Sequence, residues 1–179
     1  LDGFQIPVYE IPGFEADDGI GTLAKKAESK DFEVYMVTPD KDYGQLVSDK
    51  VFMFKPAKQG QEEILGVKEI LEKWEIKRID QVIDMLGIQG DSVDNIPGVK
   101  GIGPKGAIKL LDEFDNLENI YANIESISGA AQKKLIESKE QAILSKHLAT
   151  IKLDVPVELD EEGLKRANMN KSKLGDLFR

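Results

Sequence analysis

Acidic residues form three short clusters, each at a predicted junction between secondary-structure elements. The clusters contain Glu15, Asp17 and Asp18, then Asp40 and Asp42, and finally Asp91 and Asp94. Any one cluster is explained by helix-dipole or turn chemistry. Loops at the carboxyl ends of neighbouring parallel strands, however, converge on one crevice. The sequence therefore predicts one shared acidic site.

Carboxylates that share a crevice repel one another, and bound cations relieve that repulsion. The chain has no Cys and one His, so the predicted ligands are oxygen atoms, which favour hard ions such as Mg²⁺ or Mn²⁺. Two such ions about 4 Å apart can cleave a phosphodiester. An EF-hand starting at Asp40 is excluded, because Gln45 and Val51 stand where that motif needs Gly and Glu.

A glycine-rich segment, residues 96–111 (IPGVKGIGPKGAIKLL), supplies positive charge. Its G-x-G-x-x-G string lacks the preceding strand of a dinucleotide site, and it does not match a P-loop. It is better explained as a tight turn with Pro104 at the start of a helix. Backbone amides there could hold a phosphate, with lysines nearby. The residues expected to contact the phosphate backbone are Lys100, Gly101, Gly103, Lys105, Gly106 and Lys109. The alternative is a connecting loop with solvated lysines.

Hydrophobic periodicity predicts the elements that position these groups. Strands are expected at 6–11, 33–38 and 51–54, and helices at 15–30, 67–74, 79–86, 107–114, 117–122, 130–138 and 141–148. A short helix is expected at 42–47 (DYGQLV) and an extended segment at 151–159. Strands alternate with helices only in the first half. The predicted fold is α/β, a partial doubly wound parallel sheet in residues 1–87, followed by a helical subdomain in residues 88–179.

Composition restricts the possible classes of protein. The 179 residues carry a net charge of −9 with 41% hydrophobic residues, which suits a folded domain. The absence of Cys excludes disulfides and thiolate zinc sites. No apolar run reaches the ~20 residues of a membrane helix, and no signal peptide is recognisable. These features lead us to expect a cytoplasmic protein without a membrane partner.

The strings FEADDGIGTLA, TPDKD and GDSVDNIPGVKGIGPKGA, in this order, resemble the 5′-nuclease (5′→3′ exonuclease) domains of the flap endonuclease superfamily, as in bacterial DNA polymerase I. The resemblance implies a PIN-like nuclease domain with a helix-hairpin-helix motif. It also implies structure-specific 5′→3′ exonuclease and flap endonuclease activity on nicked or 5′-flapped double-stranded DNA, with two Mg²⁺ ions, which Mn²⁺ can replace. A covalently linked polymerase module is the expected partner in the full-length protein.

The same resemblance assigns roles to individual residues. Glu15 and Asp17 match ligands of the first metal, whereas the second-metal group is matched by Asp18, Asp40, Asp42 and Asp91, with Asp94 close by. In relatives the hairpin carbonyls also hold K⁺, here those of Gly101, Ile102 and Gly103.

Departures from the family pattern shape the expectation for this chain. The first catalytic strand, a further acidic motif and the basic arch of the family have no counterpart here, so we expect a fragment that lacks the N-terminal part and is weakly active or inactive alone. Asp2 is not expected to replace the missing catalytic Asp. Two alternatives are a non-catalytic, sequence-independent duplex-binding module and an RNA-cleaving relative. His147 is expected to be an exposed structural residue.

Overall fold

The computed structural model describes residues 1–56 and 62–178. Its first part contains a 3₁₀ turn (Asp2–Phe4), α1 (Ala16–Ser29), β1 (Val34–Val37), a 3₁₀ helix (Lys41–Leu46), β2 (Val51–Lys55), β3 (Glu63–Leu65) and α2 (Val67–Trp74). The amphipathic spacing of residues 67–74 predicts α2 at its observed bounds.

The remainder of the described chain is helical. It contains α3 (Gln81–Gln89), α4 (Pro104–Phe114), α5 (Leu117–Ala122), a 3₁₀ turn (Ile124–Ser126), α6 (Gly129–Glu137), α7 (Lys139–Ala149) and α8 (Lys171–Leu177). α3 packs against α7 and α4, and seven of its nine residues are buried. Such a helix lies inside the fold rather than on its surface. Among the described helices, none combines the length and apolar character needed to cross a bilayer.

The sheet has the order β1-β2-β3. β1 and β2 are parallel, with Val34 opposite Val51, which confirms the α/β class. β3 was not predicted and runs antiparallel to β2, with Met53 opposite Leu65. Alternate residues on one side, including Met36 and Met53, are buried. The core continues without interruption from this face into the helical part, and the division at residue 87 stays a prediction.

The predicted strand at residues 6–11 is not formed. Ile6, Val8 and Tyr9 are exposed, and the segment joins no ladder in the described sheet. Apolar β-branched residues form a strand only where a neighbouring strand accepts and donates hydrogen bonds. Pro7 and Pro12 also lack the N–H that a ladder requires.

Residues 151–159, predicted as an extended segment, belong to no helix or strand, and they contact α1. The Thr22 hydroxyl accepts a hydrogen bond from the Val155 N–H at 3.2 Å. Gly21 lets the segment approach, since a Cβ there would lie 2.9 Å from side-chain atoms of Ile151 and Leu153. This contact places residues 147–152 beside the start of α1.

Candidate metal centre and nucleic-acid interface

The structure brings the three acidic clusters together. A cleft of about 590 Å³ is lined by Glu15, Asp17, Asp18, Asp40, Asp42 and Asp94. Asp91 is buried and lies beside the cleft, because one oxygen of each of Asp42, Asp91 and Asp94 is within 4.8 Å of the others. All the carboxylates proposed from the sequence therefore share one site. Their roles as ligands stay predictions.

The Asp40–Asp42 pair is positioned by the 3₁₀ helix that follows β1. Asp40 caps this helix by accepting a hydrogen bond from the Asp42 N–H at 3.0 Å. The two carboxylates do not share one side of an extended segment, because a 3₁₀ helix begins directly after Asp40. The turn buries Asp42 and leaves Asp40 exposed at the cleft.

The Asp91–Asp94 pair lies on a turn closed by a backbone bridge. Asp91 and Ile96 exchange backbone hydrogen bonds of 2.8 and 2.7 Å, and the Val93 N–H donates to Asp91 Oδ1 at 2.9 Å. Asn95 has a φ of 58°, a region that Asn tolerates better than most residues. The closed turn directs both carboxylates towards Asp42.

The Asp42 carboxyl fits a bound cation. Its Oδ1 atom is buried without a hydrogen-bond partner within residues 1–56 and 62–178. Burial raises the pKa of Asp42 to about 6, against the favourable charge of Lys41 and with added repulsion from Asp40. A buried acceptor without a donor is costly. A divalent ion held by Asp42, Asp91 and Asp94 would remove that cost, and these oxygen ligands suit a hard ion.

Lys41 is a residue of the site that the sequence reasoning missed. Its ammonium donates to the Asp91 carboxylate and lies 3.7 Å from Asp42 Oδ1. Burial tends to raise the pKa of Asp91, but the hydrogen bonds from Lys41 and Val93 outweigh burial and lower it. The one sequence signal for Lys41 is its place between Asp40 and Asp42, and this signal alone does not give its contact with Asp91.

The first cluster is held at the start of α1. Asp18 accepts a hydrogen bond from the Lys152 N–H at 2.8 Å, which fixes its carboxylate at the cleft wall. Glu15 is the exposed N-cap residue, and its side chain makes no capping bond. Tyr43 is buried behind this cluster, where burial first and then the charge of Asp17 raise its pKa to about 12.

The opposite wall of the cleft is the end of α7 and the residues after it, including His147 and Lys152. His147 is exposed on the helix, as expected. Gln45 ties this wall to the 3₁₀ helix, because its Nε2 donates to the carbonyls of Asp42 (3.0 Å) and Ala149 (2.9 Å). Its Oε1 accepts from the Ile151 N–H at 3.0 Å.

The glycine-rich segment, residues 96–111, comprises the loop before α4 and the first turns of α4; this segment is called the hairpin below. Pro104 occupies the first turn of α4, as predicted, and Gly101 has a φ of 80°. Lys100, Lys105 and Lys109 are exposed, and within the described chain none forms an ion pair with a carboxylate. These ammonium groups are therefore free to meet an anion. The Gly101 carbonyl accepts a hydrogen bond from Lys134 Nζ at 2.9 Å.

Two family models match the chain that carries this carboxylate cleft and glycine hairpin. Residues 1–75 match the family described as "5′-3′ exonuclease, N-terminal resolvase-like domain". Residues 77–172 match "5′-3′ exonuclease, C-terminal SAM fold". The chain belongs to the 5′-3′ exonuclease family, as the sequence motifs predicted.

Individual relatives agree with this assignment. DNA polymerase I of Bacillus subtilis (strain 168) is 44% identical, and the match covers 100% of this chain and 20% of that protein. The 5′-3′ exonuclease of Aquifex aeolicus (strain VF5) is 38% identical over 94% of this chain and 56% of its own length. The chain thus spans about a fifth of the polymerase and about half of the exonuclease.

Among solved structures, T5 5′-exonuclease with bound divalent zinc ions has a similar fold. The TM-score is 0.70 at 28% identity, and the match covers 80% of this chain and 52% of that one. The similarity confirms the predicted nuclease-like α/β fold followed by helices.

Proposed function

We propose that this chain forms the carboxylate site and the duplex-binding hairpin of a metal-dependent 5′ nuclease. The enzyme would hydrolyse phosphodiester bonds in DNA with a nick or 5′ flap, and its full-length form carries a polymerase module. The observation that carries the proposal is the convergence of carboxylates from three distant segments on one cleft. The hairpin presents three exposed lysines, none of which forms an ion pair with a carboxylate of the described residues.

The donor set indicates how divalent ions would be held. Asp42, Asp91 and Asp94 provide oxygen atoms within 4.8 Å of one another, and Glu15, Asp17, Asp18 and Asp40 line the adjoining cleft. Bound Mg²⁺, or Mn²⁺ in its place, would lower the pKa of a water molecule and neutralise charge at the scissile phosphate. The relative with bound zinc supports a divalent cofactor.

The hairpin supplies the second requirement, which is to hold the substrate. Lys100, Lys105 and Lys109 extend from exposed positions near the start of α4, and backbone amides at a helix start bind phosphate. Phosphate contacts position a duplex without reading its sequence. The hairpin would thereby select duplex structure, and the carboxylate cleft would act on the strand presented to it.

A cleavage assay on a labelled 5′-flap duplex tests the proposal. With Mg²⁺ or Mn²⁺ we expect products that disappear in chelator and in Asp42→Asn. Lys105→Ala should weaken duplex binding. It should also reduce the magnitude of the slope of log K against log [salt] by ~0.9 for each phosphate contact that is lost. Asp112→Asn, at an exposed acid of α4 that pairs with Lys77 and does not line the cleft, is the control for Asp42→Asn in the cleavage assay. Because the chain spans only part of its relatives, the assay includes a full-length relative as a positive control.

The duplex-binding module without catalysis is the second candidate, favoured by the unpaired lysines alone. It predicts binding that survives Asp40→Ala and needs no divalent ion. Metal-independent binding together with absence of any cleavage by the full-length protein would decide for this second function. Cleavage that requires both Asp42 and a divalent ion would decide for the nuclease.

A further inference from the structure

Lys134 on α6 contacts the hairpin at Gly101, whose backbone is in the left-handed region. Its Nζ donates a 2.9 Å hydrogen bond to the carbonyl of Gly101. A Cβ built on Gly101 would lie 3.0 Å from that Nζ and 3.2 Å from Cε. The lysine stem therefore packs flat on the glycine, which also needs its positive φ of 80°. Two independent constraints meet at this glycine.

The contact lies in a cavity of about 450 Å³ shared by the hairpin, α4 and the start of α6, whose lining includes Gly103, Lys109, Ser128 and Lys134. Within residues 1–56 and 62–178, Lys134 forms no ion pair with a carboxylate, whereas its neighbour Lys133 pairs with Glu137 on the same helix. The charge of Lys134 is thus directed to a neutral carbonyl, and an ammonium has three donors. One donor is used here.

A K⁺ bound to the Gly101 carbonyl would lie beside the ammonium of Lys134. Both would carry a positive charge at the same oxygen atom, and like charges at contact distance repel. The carbonyls of Gly101, Ile102 and Gly103 were expected to hold K⁺. At the Gly101 carbonyl, the ammonium of Lys134 would compete with that ion.

We infer that Lys134 is the built-in cation of the hairpin. Its ammonium holds the Gly101 carbonyl against α6 through one hydrogen bond. Its remaining N–H groups donate to a phosphate of the bound duplex. The second half of this inference rests on the proposed DNA binding, and the first half does not. The hairpin then needs no K⁺ to bind a duplex.

The first experiment uses the DNA-free protein, in a tetramethylammonium background. K⁺, and separately Tl⁺, are titrated while the NMR signals of residues 101–103 are followed. We expect no saturable response in the wild-type chain and a saturable response in Lys134→Met. Lys133→Met, one residue away on the same helix, should behave as the wild type. Lys134→Gln serves as the second variant if Lys134→Met does not fold, with the same K⁺ response expected.

The second experiment measures duplex affinity at equal ionic strength in K⁺ and in tetramethylammonium. The wild type should bind equally in both salts. Lys134→Met should bind about two- to fivefold more weakly in tetramethylammonium, the size of one exposed charged contact, and K⁺ should restore part of the loss. Lys134→Arg, which keeps a charged donor, should remain independent of K⁺.

Two results would overturn the inference: a saturable K⁺ or Tl⁺ response in the wild-type hairpin, or identical behaviour of Lys134→Met and Lys133→Met in both experiments. Failure of every variant and of the wild type to bind a duplex would count against the proposed function. The titration of DNA-free protein would still decide which cation serves the Gly101 carbonyl.

Discussion

The ammonium of Lys41 lies 3.7 Å from Oδ1 of Asp42, a buried oxygen that has no hydrogen-bond partner in the described chain. The same ammonium is hydrogen-bonded to Asp91. Lys41 therefore neutralises part of the cluster and leaves the buried Oδ1 of Asp42 without a hydrogen bond. That oxygen is the position at which a divalent ion gains most.

Replacement of Lys41 tests whether its ammonium competes with a divalent ion. In chelator, Lys41→Met should lower the free energy of unfolding by about 1 kcal/mol, a value reduced by partial exposure. Mg²⁺ should then stabilise the variant more than the wild type, because repulsion among the carboxylates has increased. Thermal unfolding with and without Mg²⁺ measures both effects.

Lys50→Met is the matched control for this comparison. The Lys50 side chain is 40% exposed against 41% for Lys41, and it pairs with the exposed Asp31 outside the cleft. Its response to Mg²⁺ should equal that of the wild type. An equal response in Lys41→Met would show that the ammonium does not compete with the ion.

The pKa of Asp42 predicts a pH dependence of the metal-free protein. Burial raises this pKa from 3.8 to about 6, so the unfolded chain loses the proton first as pH rises. The free energy of unfolding should therefore fall by roughly 3 kcal/mol between about pH 4 and pH 6 as Asp42 ionises. Above pH 6 the contribution of this group should be constant. Asp42→Asn should lack this fall and be the more stable protein above pH 6 in chelator.

Chemical denaturation across pH, compared between the wild type and Asp42→Asn, isolates the contribution of Asp42 from the other acids. With saturating Mg²⁺ the order should reverse, because the ion stabilises only the ionised carboxylate. A difference between the two proteins that is independent of pH in chelator would contradict the assigned pKa.

Gly101 and Gly103 lie two residues apart and are predicted to respond differently to serine. Gly101→Ser should cost about 1–2 kcal/mol, because its φ is 80° and a Cβ would displace Lys134. Gly103 has a φ of −95° as the N-cap residue of α4, and a Cβ there meets nothing within 4 Å. Gly103→Ser should be neutral or slightly stabilising.

Urea unfolding of the two serine variants checks this difference, and duplex affinity gives a second measure. Equal losses in both variants would show that the hairpin tolerates no side chain at either position. In that case the left-handed conformation of Gly101 would not be the cause.

An element was predicted correctly from the sequence where the residues that stabilise it lie close together in the chain. The spacing of Val67, Ile70, Leu71 and Trp74 defines one helix face within two turns, so α2 was predictable. Residues 6–11 have similar local signals for a strand, but no partner strand adjoins them in the described sheet. Pairing is decided by the tertiary fold, which periodicity does not contain.

The same distinction applies to the candidate site. Asp40 and Asp42 were predicted as site residues because two carboxylates only two positions apart can be recognised in the sequence. Lys41, Gln45 and Lys134 were missed, since their contacts join residues 50, 104 and 33 positions apart. Each of these side chains positions a cluster or a loop. Its partner, a carboxylate for Lys41 and a backbone carbonyl for Gln45 and Lys134, is known only once the chain is folded.

Asp84 on α3 connects this helix to α5 and α7. Of the substitutions considered, Asp84→Ala should lower the free energy of unfolding most. Its Oδ1 accepts from the Leu117 N–H at 3.0 Å and from Lys146 Nζ at 2.7 Å. Asp84→Ala leaves a buried amide unsatisfied and should cost about 3 kcal/mol. Asp84→Asn keeps an oxygen acceptor for that amide and should cost about half as much. Urea unfolding would distinguish them, with the exposed Glu137→Ala within ~0.5 kcal/mol of the wild type. Equal losses for the alanine and asparagine variants would assign the whole effect to the ion pair with Lys146 and none to the amide.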